Sequence, residues 1–197
     1  MAALWSTLLA ISFASGLNIY ATILTLGLLG RFEVVQLPGE LTVLSSTLVL
    51  AAAAVLYAIE FVADKIPYVD SVWDMIHAIV RPLGGAVLAY SAVGKVDTEW
   101  QMLAALLGGG IALTSHTAKA STRAAANLSP EPFSNWILSF VEDVTAVGLV
   151  SLALLYPWIA LAIVTVLFAL AVVIIVKFSR LVRRLWSRKS RPVRESA

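Results

Sequence analysis

The sequence predicts an all-α integral membrane protein, a bundle of about six transmembrane helices, and three observations carry that prediction. Apolar residues make up 60% of the 197 positions and charged residues only 13%, whereas soluble domains are about 45–50% apolar. Mean hydropathy is +0.90, and the apolar residues fall into runs of spanning length separated by short segments rich in Pro, Gly and charge. Charge is also divided unevenly. From Lys177 to Ala197 there are eight Lys/Arg and one acid, which leaves six basic and eleven acidic residues in 1–176. The formal +2 therefore separates into a transmembrane domain, 1–176, at −5 and a basic tail, 177–197, at +7.

Ala3–Leu29 is the first segment, longer than the roughly 20 residues needed to cross the hydrocarbon core. It lacks a basic leader, so it reads as a first span or signal anchor rather than a cleaved signal. Ser12, Ser15, Gly16, Asn18 and Tyr20 interrupt its aliphatic run. Small residues of this kind allow close helix packing with Asn18 bonded across an interface; alternatively Asn18 and Tyr20 line a polar cavity. Pro38-Gly39 marks a turn. Thr42–Ile59 is the second span and runs into Glu60 and Asp64, with Pro67 as its breaker.

The third segment restarts near Asp70. It is strongly apolar only over Leu83–Val93, 11 residues, too few to cross alone. Crossing therefore requires Ser71–Arg81 as well, which carries Asp74, His77 and Arg81 to depth. On a helix, Asp70, Asp74, His77 and Arg81 stand at i, i+4, i+7 and i+11 and share one face. Pro82 and Gly84-Gly85 predict a break here, either a discontinuous helix or a re-entrant hairpin, tolerated where protein or water satisfies the freed backbone.

Gly94–Trp100 is a polar loop, and about Met102–Ala118 forms the fourth span. Its Gly108-Gly109-Gly110 permits close approach or local unwinding. The span exits through Ser115, His116, Lys119 and Arg123, and Ser129-Pro130-Glu131-Pro132 ends the helix. Phe133–Leu155 is the fifth span and carries Asn135 and the adjacent pair Glu142-Asp143. Adjacent helical residues point about 100° apart, so at least one of these acids faces the interior. Tyr156-Pro157 turns into the sixth span, Trp158 to about Val176, uniformly apolar and suited to face lipid.

Lys/Arg bias places the basic tail in the cytoplasm, and six crossings then bring the N-terminus to the same side. Lys177, Arg180, Arg183, Arg184, Arg188 and Lys189 continue the last helix as a basic stretch suited to anionic lipid. No nucleic-acid reading module accompanies them, so nucleic acid is not an expected partner. Six spans also divide into three plus three, and a three-span unit repeated in tandem inverts in the membrane. Phe61-Val62-Ala63-Asp64 resembles Phe140-Val141-Glu142-Asp143, a faint trace of such a repeat. The small size of the chain makes a homodimer reasonable.

The strings SGLNIY (Ser15–Tyr20) and EFVADKIPYVDSVWDMIHAIVRPLGG (Glu60–Gly85), with Lys119, Arg123, NLSPEP (Asn127–Pro132), Asn135 and Glu142-Asp143, resemble an uncharacterised bacterial inner-membrane family catalogued only as a domain of unknown function. The resemblance runs to about Val176. It implies a cytoplasmic-membrane location and suggests one shared polar site.

Ionisable groups inside a membrane are functional candidates by default. Glu60, Asp64, Asp70, Asp74, Glu142 and Asp143 face Arg81, Lys119 and Arg123, with His77 and His116 able to titrate near neutrality. The leading expectation is a proton- or cation-coupled carrier of a small solute or ion. In it Asp74, Glu142 and Asp143 are the coupling carboxyls, Asn18 and Tyr20 orienting contacts, and Arg81 a charge partner. A membrane enzyme acting on a lipid or polyprenyl phosphate is the lesser alternative. It would use a divalent metal on Asp70, Asp74 and His77 and a phosphate on Lys119 and Arg123. GxSxG, HExxH, Walker and dinucleotide motifs are absent, no other cofactor is implied, and without cysteine there is neither disulfide nor thiolate site. The third reading is a non-catalytic membrane component held together by buried ion pairs.

Overall fold

The computed structural model describes residues 2–66, 68–127 and 132–189, and all its regular elements are helical. In order they are α1 (Ala2–Leu17), α2 (Ile19–Arg31), a short 3-10 segment (Gly39–Ser45), α3 (Thr47–Ala63), α4 (Val69–Val93), α5 (Thr98–Ala126), α6 (Pro132–Leu155) and α7 (Pro157–Lys189). Three helices among the described residues, α4, α6 and α7, are long and apolar enough to cross a membrane. The 3-10 segment and α3, bent by 74° at their junction, are together long and apolar enough to make a fourth if they form one span. Leu48, Met75, Leu106 and Phe140 are among the large apolar side chains left exposed on the outer faces. So broad an apolar exterior is unsuited to water and suited to lipid, which makes this an all-α membrane protein.

The first segment departs most from expectation. Instead of one span over Ala3–Leu29 there are two helices meeting at Asn18, whose backbone is extended (φ −152°, ψ 103°). The Asn18 side chain accepts a hydrogen bond from the Ala21 amide at 2.9 Å and so caps α2. Asparagine favours this N-cap role over a helix interior, and that preference breaks the segment.

The break reverses the chain. At the start of α1, Trp5 meets Trp100 edge-on at 6.2 Å, and the Thr7 hydroxyl donates to the Ala153 carbonyl near the end of α6 at 2.8 Å. At the tip, Ile19 lies against Gly84. Gly27 then approaches Leu44 and Leu50, Gly30 approaches Leu37, and Gly39 (φ +57°) lies against the backbone of Ser91 and Gly94, at the end of α4. α2 therefore returns toward the end of the bundle where α1 began. The pair is a hairpin whose tip stops level with the middle of α4.

The first segment is therefore two helices rather than one span. α1 begins at the Trp100 end, near where α6 ends and α7 begins, and α7 packs along α1 and α5. A hairpin and a bend occupy the first half of the chain, while α5, α6 and α7 are each continuous helices.

The expected break at Pro82 is also absent: α4 continues through it. Membrane helices accommodate proline when neighbours absorb the freed carbonyl. The glycines that flank and face it serve packing instead. A Cβ on Gly85 would meet Ala112 and the Gly108 carbonyl, and one on Gly108 would meet Ala89 and the Gly85 carbonyl. α4 and α5 thus touch backbone to backbone, the close approach that small residues permit. Gly108–Gly110 stay helical within α5. The expected role of Pro67 lies outside the described residues, as does Ser129-Pro130-Glu131. The tail continues α7 as expected, and Lys177, Arg180, Arg183 and Arg184 are exposed on it; the side chains of Arg188 and Lys189 lie outside the described set.

The apolar core gathers toward the Trp100 end. Ala10, Ile11 and Ala14 of α1 meet Leu26 of α2, Leu149, Val150 and Ala153 of α6, and Ala160 and Val164 of α7. Below this layer, around the hairpin tip, the interior becomes polar.

Candidate functional site

Four elements deliver charge to one level of the bundle. Glu60 and Asp64, one turn apart, leave the last turn of α3, and both are buried. On α4 the predicted face is real: Asp70, Asp74, His77 and Arg81 are each at most 4% exposed. His116, Lys119 and Arg123 project from α5 and are at most 3% exposed. Asn135 and Asp143 on α6 are buried, and the Glu142 side chain is 11% exposed. Asn18 and the last carbonyls of α1 enter from the hairpin tip.

Arg81 sits at the centre. One terminal nitrogen donates to Glu60 Oε1 at 2.7 Å. The other donates to His116 Nδ1 at 2.9 Å and to the Gly16 carbonyl at 3.3 Å, and lies 3.4 Å from Asp74 Oδ1. Lys119 donates to Asp64 Oδ2 at 2.8 Å and to the Leu17 carbonyl at 3.2 Å, with Glu142 Oε2 at 3.2 Å and Glu60 Oε1 at 3.7 Å. Arg123 grips Asp64 twice, through its carbonyl at 2.7 Å and its carboxylate at 3.0 Å, and also pairs with Glu142. Its contact with Asp70 is longer, 3.7 Å. The carbonyls at the end of α1 are unsatisfied by helix geometry and carry partial negative charge, which explains why Gly16 and Leu17 receive these cations.

A second shell completes the node. Asn127 donates to both oxygens of Asp70 at 3.1 Å, and Asn135 donates to Asn127 at 2.8 Å. Asn18 donates to Asp143 Oδ1 at 2.8 Å. His77 Nδ1 lies 2.8 Å from the Trp73 carbonyl and Nε2 3.1 Å from the Tyr20 hydroxyl. A carbonyl only accepts, so Nδ1 carries a proton and donates to Trp73, while the Tyr20 hydroxyl is able to donate to Nε2 or accept from it. By the same logic the Arg81 bond assigns an acceptor Nδ1 to His116. In the turn after α3, burial alone would push the Asp64 carboxyl up, but Lys119 and Arg123 against it hold it below the usual carboxylate range. Burial pulls the neighbouring Lys65 ammonium down; it lies over the Phe61 ring and reaches Ser139 Oγ at 3.3 Å.

All thirteen residues marked in the sequence fall in this node or its immediate shell. Their grouping differs from expectation in two respects. Asp70, Asp74 and His77 do not converge on a metal: Asp70 is held by Asn127 and Arg123, Asp74 faces Arg81, and His77 turns to Tyr20. Among the described residues no group of three or more His, Asp or Glu side chains is arranged to hold a metal ion. Lys119 and Arg123 point inward to carboxylates rather than out toward a phosphate. The sequence reading missed the Gly16 and Leu17 carbonyls, because carbonyl donors to cations leave no residue signature, and it passed over Asn127 inside the NLSPEP string.

One side of the node opens. Between α4 and α5 lies a groove of about 380 Å³ lined by Ser71, Asp74, Met75 and Ala78 on one wall and by residues including Leu113, His116 and Arg123 on the other. Met75 is 73% exposed and Leu113 47%, so the groove faces outward from the bundle. The family model of a domain of unknown function (DUF4126) matches residues 6–177 of the chain. No curated protein and no solved structure matches it.

Proposed function

We propose that this chain, which belongs to the family of the domain of unknown function DUF4126, is a proton- or cation-coupled carrier of a small solute or ion in the bacterial cytoplasmic membrane. One observation carries the reading. Six carboxyls, five of them buried, converge with three buried cations, Arg81, Lys119 and Arg123, and with the half-buried Lys65 that faces Asp64 and Asp143. A buried excess of negative charge is too expensive to stand alone in a low-dielectric interior, so the node takes up protons or a cation when it is fully assembled. Exchange of that positive charge is the elementary step of a coupled carrier. The hairpin supplies the structural counterpart, since a broken helix pair ending at mid-depth places carbonyl ends among ionised side chains, as in carrier binding sites.

The basic tail belongs in the cytoplasm by its charge, facing anionic lipid. The test is a proton and ion flux assay in proteoliposomes with wild type, Asp74→Asn and Glu142→Gln. Loss of flux in Asp74→Asn supports the reading; unchanged flux in both variants removes the coupling carboxyls. A purely structural node is the second reading, favoured by the fact that five of the six acids lie within 4 Å of a base. It predicts no wild-type flux for any ion or pH gradient.

A further inference from the structure

The six carboxyls of the node are not equivalent. Glu60 accepts from Arg81, Asp64 from Lys119 and Arg123, Asp70 from Asn127 and the Ser71 amide, Glu142 from Arg123, and Asp143 from Asn18. Asp74 accepts no hydrogen bond at either oxygen, although it is only 4% exposed. Its one close cation is Arg81, at 3.4 Å from Oδ1, and that guanidinium directs its hydrogen bonds to Glu60, His116 and the Gly16 carbonyl. Asp74 is also the one carboxyl of the six that lines the α4–α5 groove.

We propose that Asp74 is the proton-carrying carboxyl of the node, loaded and unloaded through the groove between α4 and α5, while Glu60, Asp64, Asp70 and Glu142 hold their charges against Arg81, Lys119 and Arg123. This rests on the coupled-carrier reading and names, within it, the ion and its site. An ionised carboxylate with no donor is the most costly group to keep in such an interior. A proton removes that charge without needing further ligands, and the acid form gains an O–H donor. A bare metal cation would need about six oxygens, and besides Asp74 the groove offers only the Ser71 and Thr117 hydroxyls as side-chain oxygens. The groups facing Asp74 are Arg81 on its own helix, His116, Lys119 and Arg123 on α5, and Glu60 and Asp64 at the end of α3. These neighbours are tied to one another, which leaves Asp74 free to exchange its proton without dismantling the network. The walls formed by Met75, Ala78 and Leu113 admit an apolar molecule from the lipid side.

That last feature supplies the test. Dicyclohexylcarbodiimide, an apolar reagent, reacts with protonated carboxyls in membranes. The acid adds across N=C=N, its oxygen bonding to carbon and its proton passing to nitrogen, and the O-acylisourea rearranges to a stable N-acylurea. Full-length protein in lipid vesicles is treated between pH 5 and pH 9 and the adduct is located by peptide mass mapping. The expected result is one adduct, on Asp74, forming about tenfold more slowly per pH unit once the carboxyl is mostly ionised, and none in Asp74→Asn. Wild-type mapping alone decides the matter if that variant does not fold. Labelling of Asp143 or Glu60 instead, a rate independent of pH, or no adduct at any pH would overturn the assignment. So would protection by tetramethylammonium at fixed pH, which would make the occupant an organic cation. No substrate is needed, so labelling of Asp74 with no measurable flux would separate failure of the carrier reading from failure of this one.

Discussion

The two halves of the bundle along its axis use opposite chemistry for the same task. Toward the Trp100 end, α1 meets α2, α6 and α7 through Ala10, Ile11, Leu26, Leu149 and Val150, all at most 2% exposed and all apolar. At the level of the hairpin tip, α3, α4, α5 and α6 meet through nine ionisable groups of opposite sign. Apolar packing would hold this level together at least as well, because buried ion pairs seldom outperform hydrophobic replacements of similar volume. On the proposed reading the charged level serves the coupled step and the apolar level serves stability. The difference also separates two kinds of sensitivity, and the following substitutions probe that separation from the largest effect to the smallest.

Arg81→Met strands Glu60 and Asp74 and leaves the Gly16 carbonyl unbonded. It is expected to lower stability by about 3–5 kcal/mol, read as a fall in the thermal midpoint in detergent. Replacing Arg81, Glu60 and Asp74 together by apolar residues should recover much of that loss while abolishing function. At the apolar contact between α4 and α5, Gly108→Ala pushes a methyl into Ala89 and the Gly85 carbonyl and should cost about 1–3 kcal/mol. Gly110→Ala, two residues on with nothing within 4 Å of the added methyl, should be neutral or stabilising by up to about 1 kcal/mol. Equal effects at the two glycines would contradict the close helix contact.

Acid exposes the charged level selectively. The carboxyl of Asp64 is held below its ordinary value in the folded protein, so its ion pairs contribute fully above the unfolded value, near pH 4. That contribution is lost as pH falls through the lower folded value. Thermal midpoints should therefore drop on acidification below about pH 4, and Asp64→Asn should flatten that part of the profile. The smallest effect is expected at Arg180→Ala on exposed α7, within about 0.5 kcal/mol, with weaker retention on anionic vesicles as its readout.

Much of this was legible from residue order. The shared face of Asp70, Asp74, His77 and Arg81 follows from helical period alone, and the burial of that face follows from the cost of charge in lipid. The convergence of Glu142, Lys119 and Arg123 was readable as charge balance. The hairpin was not, because the run from Ala3 to Leu29 has the length and hydropathy of a single span. Only Asn18 marks the reversal, through a capping bond whose effect depends on Asp143 being there to receive the side-chain amide. Pro82 misled in the other direction: its ring sits in a helix that continues through it and packs closely on α5 at Gly85 and Gly108. Asp70, Asp74 and His77 share a helical face but not a partner, because Asn127, Arg81 and Tyr20 each stand nearer to one of them.

The central claim is that the charged level moves protons while the apolar level only supports it. Proton uptake into vesicles driven by an imposed pH gradient tests this most directly, comparing Asp74→Asn with Ile11→Val, a core variant expected to lose about 0.5–1.5 kcal/mol. The account predicts near-background uptake for Asp74→Asn and near wild-type uptake for Ile11→Val. Wild-type uptake in Asp74→Asn, or an equal loss in both, would contradict it.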